Sequence, residues 1–502
     1  MLRCSTPLVE ITGEMKTTVQ AGGTICLSIV SSPESKTLKT ILCMTYLHLM
    51  AFVPAMALAG DVVENTAALV EAVRDREAGA TIEVAAGKFE LHEPLELKNG
   101  MTLRGAGMGK TVITSHPDWN PSSRALPDPE MTLDGLDVDA YLILIQRDTA
   151  NVTISDLTLH GPQVHGAIFS WFHIGLHLHH VQIKETQWSG LRTFGMQKSR
   201  IHDCEFIDAG GRWDKGERGI KGGNTGGGIF ACWMSDCEIF NNRFKRIRTG
   251  PAEEFYGIKV RQGTRCRVHH NTIETNFSME FPFENDEDNE LDHNVCSGTI
   301  SIPKYAGGAV PKSGSTFHIH HNWFHDSYAI EFVRNGVEID HNLFDFDVKA
   351  DHGNLISAFG DAPAPGPASF HNNLVSNPGR GVIWINEVYN NIKIRNNHII
   401  TRTTVTPRDD GLFGFHPDCD FKTIAIESNL VVCEGQPRPL LRCMESYGSV
   451  IRNNTLTNVS DTDKFENRGS NKPVGLEKPL HFECGIGGEW IVTGWKTRRS
   501  IE

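Results

Sequence analysis

The chain has 502 residues, 39% hydrophobic and 22% charged, enough apolar material for a large core and unlike a disordered chain. The formal net charge is -13 with no long basic run, which argues against a nucleic-acid partner. An acidic balance does not exclude an anionic polysaccharide, because a local basic cleft can oppose it.

The chain opens on residues 1–59, read as a targeting segment. Within it "KTLKTILCMTYLHLMAFVPAMALAG" carries basic Lys36 and Lys39, an apolar run, and the small-residue pattern Ala57-Leu58-Ala59. That order predicts a secretory signal cleaved after Ala59, hence a secreted or periplasmic protein free of the membrane after cleavage. The alternative, a membrane anchor, needs a longer apolar run. Residues 1–35 fit no signal pattern and read as an overcalled start. Three of the 12 cysteines, Cys4, Cys26 and Cys43, precede the cleavage point. The odd remainder shows no CxxC or zinc spacing; Cys232 and Cys237 are near enough to pair, but small buried thiols suit most of them.

Residues 60–502 are expected to form a single domain. "NTAALVEAVRDREAGATIEVAAGKFEL" predicts a helix burying Ala68, Leu69 and Val73, then a first strand. "GAGMGKT" is not a phosphate loop: Arg104 stands where that motif needs its first glycine, and no helix pattern follows. Its glycines suit a tight corner. Next comes a glycine-rich insertion at 209–233, which reads either as a mobile loop or as a segment presenting Arg212, Trp213 and Lys221 to an anionic glycan.

From there a repeat dominates. An Asn precedes an apolar pair at Asn242, Asn271, Asn294, Asn322, Asn342, Asn373, Asn397, Asn429 and Asn454, at intervals of 20 to 32 residues. Such a period means stacked repeats. Alternation places Val268, Ile319 and Ile339 inside and the adjoining His and Asp outside. The Asn is expected at a corner, bonding backbone and its counterparts in neighbouring coils. The His-Asn pairs recur wherever the repeat does, so they are read as structural rather than as metal ligands. The fold class expected is all-β, a right-handed parallel β-helix (solenoid) with an N-terminal capping helix. Over nearly all of the mature chain it resembles the pectate-lyase-like superfamily of carbohydrate-active proteins.

The strands beyond the corners concentrate charge. "FYGIKVRQG", "SMEFPFEND", "TISIPKYAG" and "AIEFVRNG" bring Tyr256, Lys259, Arg261, Glu280, Glu284, Lys304, Tyr305, Glu331 and Arg334 towards one patch. Glu280 and Glu331 share a repeat position, nine residues after Asn271 and Asn322. The alternative is a set of surface ion pairs joining the coils. Later strands are less charged, though Trp384 could stack on a sugar. The acidic turn "ENDEDNELD" offers hard oxygen ligands of the kind Ca²⁺ takes.

The segment "EFYGIK", with Glu254 five residues before Lys259, is similar to the Glu-x4-Lys segment of the alginate-lyase and chondroitinase-B family, polysaccharide lyase family six. That resemblance implies Glu254 as a calcium ligand and Lys259 as the Brønsted base; Glu280 and Glu284 are the other candidate calcium ligands. The resemblance departs at Ala252, where the family has a second acid, and near Glu280, where it has an Arg. The expectation is therefore a lyase cleaving a uronate-containing polysaccharide by β-elimination. Lys259 would be the base, calcium or Arg261 and Arg334 would neutralise the carboxylate, and Tyr256 or Tyr305 would donate the proton. Two alternatives stay open: a glycoside hydrolase using Glu280 and Glu331, and a non-catalytic glycan-binding protein, for which the fold alone suffices.

Overall fold

The structure is a computed structural model. It describes residues 62–119, 140–210 and 227–247 without a break, two strands before them, and the strands and corners of successive coils up to residue 497. The chain divides into two compact units, Met1–Gly60 and Asp61–Glu502. In the first, Met15–Val19 and Ile25–Ile29 pair antiparallel. The signal segment expected at residues 36–59 lies outside the described residues. Among the described residues, no helix is long and apolar enough to cross a membrane.

The second unit begins with the expected helix, Thr66–Asp75. Asn65 caps it, its side chain accepting from the Ala68 N–H at 3.0 Å, and Leu69 and Val73 are its buried residues. The chain then winds into a right-handed parallel β-helix. Gly105 to Lys110 form a tight corner rather than a phosphate loop. A Cβ on Gly105 would come within 2.3 Å of the Asp156 carbonyl, so only glycine fits there.

Each coil gives one strand to a first sheet. It runs in parallel from Leu95–Leu97 through Tyr141–Ile145, Gly166–Trp171, Ser189–Phe194, Gly227–Cys232, Tyr256–Val260 and Asn276–Met279 to Ile300–Ser301. Single bridges through Ile330 carry it on to Asn354–Phe359, Gly381–Ile385, Phe413–Phe415 and Leu441–Arg442. The other wall takes two strands per coil, joined at the Asn corner, as in Phe317–His320 and Trp323–His325. The final strands depart from this plan: Leu480–Cys484, Gly488–Thr493 and Lys496–Thr497 pair antiparallel.

Alternation decides what faces inward. The column Val268, Leu291, Ile319, Ile339, Phe370, Ile394 is fully buried, one residue per coil in register. Past the corner, Phe206 stacks on Phe244 at 4.7 Å and Phe324 on Phe344 at 4.8 Å. Each such side chain stabilises the coil by roughly 1.5–3 kcal/mol. Among the described residues of the second unit, Cys204, Cys232, Cys237, Cys266, Cys296 and Cys433 are buried and stand outside any disulfide. Cys232 and Cys237 therefore do not pair.

The corner is an asparagine ladder. From Asn242 to Asn429, each buried Asn donates through Nδ2 to the Oδ1 of the next, at 2.9 to 3.1 Å. The same Oδ1 also accepts the backbone N–H of the preceding Asn. The left-handed turn falls one residue earlier than the sequence suggests. His270, His293, His321 and His341 have φ of 52 to 54°, with Asn372 and Asn396 also at 54°. Those four imidazoles form their own stack, with centroids 5.0 to 5.2 Å apart and planes within 7°.

Two predictions follow from this frame. Asn322→Ala leaves the Leu291 carbonyl and the Asn294 N–H without the partners they have at 2.8 and 2.9 Å. At about 1–3 kcal/mol for each buried group left unpaired, the loss should total roughly 2–6 kcal/mol in a denaturant titration. The second concerns acid. His173 and His398 are held down to about 4 by burial, from 6.5. They stay neutral in the fold while the unfolded chain takes up protons, so their contribution is complete above pH 6.5 and lost as pH falls through 4. His173→Gln should remove on the order of 3 kcal/mol of that acid slope, read from denaturation midpoints across this range.

Candidate functional site

The outer face of the first sheet is where cations meet aromatic rings. Its strands are in register, so outward side chains line up coil on coil. One column reads Leu144, Phe169, Arg192, Phe230, Lys259. The adjoining column reads Trp171, Phe194, Cys232, and Arg261 continues it, its N–H bonded to the Ala231 carbonyl at 2.8 Å. On the other flank Tyr141, Gly166, Ser189, Gly227 and Tyr256 align. Gly166 is small for a reason: a Cβ there would lie 2.3 Å from the Tyr141 ring.

The rings form a separate apolar cluster outside the coil: Tyr141, Leu144, Phe169, Trp171, Trp188, Phe194, Phe230 and Cys232. Into it Arg192 inserts its guanidinium, 4.3 Å from the Trp188 ring centre, 4.8 Å from Phe194 and 5.1 Å from Phe230. Arg261 approaches the same Phe230 ring at 5.3 Å. The Lys259 ammonium lies 4.8 Å from the Tyr256 ring. All are within the range at which a ring quadrupole attracts a cation. Arg192 and Lys259 stand two coils apart, about 10 Å at the usual strand spacing.

Of the residues singled out from sequence, Tyr256, Lys259 and Arg261 come together here. Lys259 is not the exposed lysine that its place on an outer face suggests: it is 4% exposed, packed among rings. Trp384 is on the same sheet five coils further along, roughly 24 Å away at that spacing, with its ring across Gly414. Glu254, Glu280, Glu284, Lys304, Tyr305, Glu331, Arg334, Arg212, Trp213 and Lys221 lie outside the described residues. All three candidate calcium ligands fall among them. Sequence reasoning missed Arg192, Trp188 and Phe230. The signal was present in "WSGLRTF", a single Arg in an otherwise apolar or small-residue strand.

Residues 143–346 match the family described as "Right handed beta helix region". No curated protein matches the chain. Similar solved structures include ORF18 of Geobacillus virus E2, at 10% identity and TM-score 0.40, covering 69% of this chain and 64% of that one. Another is the mannuronan C-5 epimerase AlgE6 A-module of Azotobacter vinelandii, at 12% identity and TM-score 0.39, covering 82% of this chain and 94% of that one. A third is the alginate lyase AlyF-OU02 in complex with G6, at 12% identity and TM-score 0.43, covering 84% and 90%.

Arg192 gives a direct test of the ring cage. Arg192→Ala should lower stability by roughly 1–3 kcal/mol, through three lost cation–ring contacts and the packing of the buried stem. Arg200→Ala, on an exposed side chain of the other wall paired to Glu238, should change it by within about 0.5 kcal/mol. Urea titrations of the two variants make the comparison.

Proposed function

We propose that this right-handed parallel β-helix is an exported polysaccharide-processing enzyme. It takes a uronate-containing glycan on the outer face of its first sheet and cleaves it by β-elimination. The observation that carries the reading is the convergence of Arg192, Lys259 and Arg261 on one aromatic face, with Tyr256 against Lys259. Cations recognise carboxylates and ring faces pack on sugars, and both are present in aligned columns. Export is proposed from the residue pattern at 36–59 alone.

The chemistry assigns each group a task. Elimination removes the proton at C5, forms the C4–C5 double bond, and breaks the bond from C4 to the leaving oxygen, which takes up a proton. Arg261 and Arg192 would pair with the carboxylate at C5, where negative charge develops in the transition state. Lys259, as the neutral amine, would take the C5 proton, and the Tyr256 hydroxyl would supply the proton to the leaving oxygen. Arg192 and Lys259 are buried, so a glycan that reaches them displaces what packs on this face. A glycan seated there would exclude water, and charge pairs act more strongly in such surroundings than in water.

The test is a screen of the full chain against polyuronates, with the ultraviolet absorbance of the unsaturated uronate as readout. Activity should appear on at least one polyuronate, and Lys259→Met should lower turnover by about 10²–10⁴-fold while keeping the apolar stem. A folded Lys259→Met protein with near-normal turnover removes Lys259 as base. New reducing ends without the chromophore would replace elimination by hydrolysis.

A further inference from the structure

We propose that the other wall of the solenoid holds a divalent transition-metal site, formed by Glu290, His318 and His320. This site is distinct from the cation and ring face and does not depend on the reading given for it.

The site follows from register. Asn289–Asp292, Phe317–His320 and Val337–Asp340 are consecutive neighbours, aligning Glu290 with His318 and Glu338, and Asp292 with His320 and Asp340. The middle strand places His at both outward positions, with carboxylates on both sides. Another strand of this wall with two outward histidines, His177–Lys184, has Thr153 and Ser155 before it and Arg200 and His202 after it. It lacks the carboxylates.

One ligand atom each from Glu290, His318 and His320 lies within 4.8 Å of the others. The His320 Nε2 is 2.7 Å from Glu290 Oε1, and the two imidazole centroids are 4.0 Å apart. His320 is held from behind, its Nδ1 2.8 Å from the Nδ1 of His321 in the stacked column. A bond at Nδ1 orients the ring and leaves Nε2 for a ligand role. His318 Nε2 also contacts Asp340 Oδ1, whose other oxygen meets His341. Asp340 thus stands beside His318, at the edge of the three.

Side-chain exposures of 36% for Glu290, 38% for His318 and 11% for His320 give a site open at its rim and packed at its base. Two imidazoles with carboxylate suit zinc or a neighbouring transition metal, whereas Ca²⁺ takes oxygen ligands. In the ladder as it stands, a proton bridges each His–carboxylate contact; a bound cation would take that place.

The experiment uses tag-free full-length protein, stripped with chelator and titrated with Zn²⁺ against a chromophoric competitor, with bound metal counted by elemental analysis. Co²⁺ in place of Zn²⁺ reports geometry through its visible absorption. The expected result is one tight equivalent of zinc and a tetrahedral Co²⁺ spectrum, unaffected by excess Ca²⁺. His318→Gln and His320→Gln should each weaken zinc by more than the 10–100-fold typical of an outer-shell change, and His177→Gln should not. Circular dichroism and melting of the metal-free variants separate loss of the site from loss of the fold. Absence of stoichiometric zinc in the parent protein, or zinc held equally by a folded His320→Gln variant, overturns the proposal.

Discussion

A carboxamide carries a two-hydrogen donor and an acceptor oxygen on separate atoms, and this fold depends on that property at its asparagine corners. A coil that turns must break its strand ladder, leaving carbonyls and N–H groups inside with no water to meet them. Asn322 answers several together: it donates to the Leu291 and His320 carbonyls and to Asn342, and accepts from the backbone and side chain of Asn294. Neither Asp, which lacks the donor, nor Leu, which lacks both, can do so. Because each Asn bonds the next, the corner also fixes the spacing between coils.

Fixed spacing converts sequence into columns. Once coils are in register, what a side chain touches is decided by its neighbours one coil away, not by its neighbours in the chain. Both sites arise this way. Arg192 meets Phe230 across 38 residues of sequence, and His318 meets Asp340 across 22. Strands hold these groups with little freedom, so their arrangement exists before any ligand arrives. The two walls differ in chemistry: one presents cations among rings, the other imidazoles among carboxylates.

This explains what could be read in advance. The Asn corners and the inward Val268, Ile319 and Ile339 were legible because their pattern is local and repeated. Tyr256, Lys259 and Arg261 were legible as charge and phenol on one strand. Arg192 and Phe230 were not, because which residue faces Lys259 depends on insertions of irregular length between coils. The His-Asn pairs were read correctly as structural, with two gaps. The left-handed turn belongs to His270 and its counterparts, since the Asn must keep its side chain turned inward. The contact of His318 and His320 with Glu290 is invisible until three strands are aligned. Burial of Lys259 was also hidden, since an outer-face position on a solenoid implies exposure only where nothing packs over it.

The central claim is the proposal that coil register aligns Arg192, Lys259 and Arg261 into an anion-binding face. The most direct test is a crystal structure of the protein with an oligouronate. The account predicts carboxylates within about 3 Å of Arg192, Lys259 or Arg261, with sugar faces against the rings of Phe230 or Trp188. A glycan bound on the Asn-corner wall, or one whose carboxylates reach none of these three cations, would contradict it.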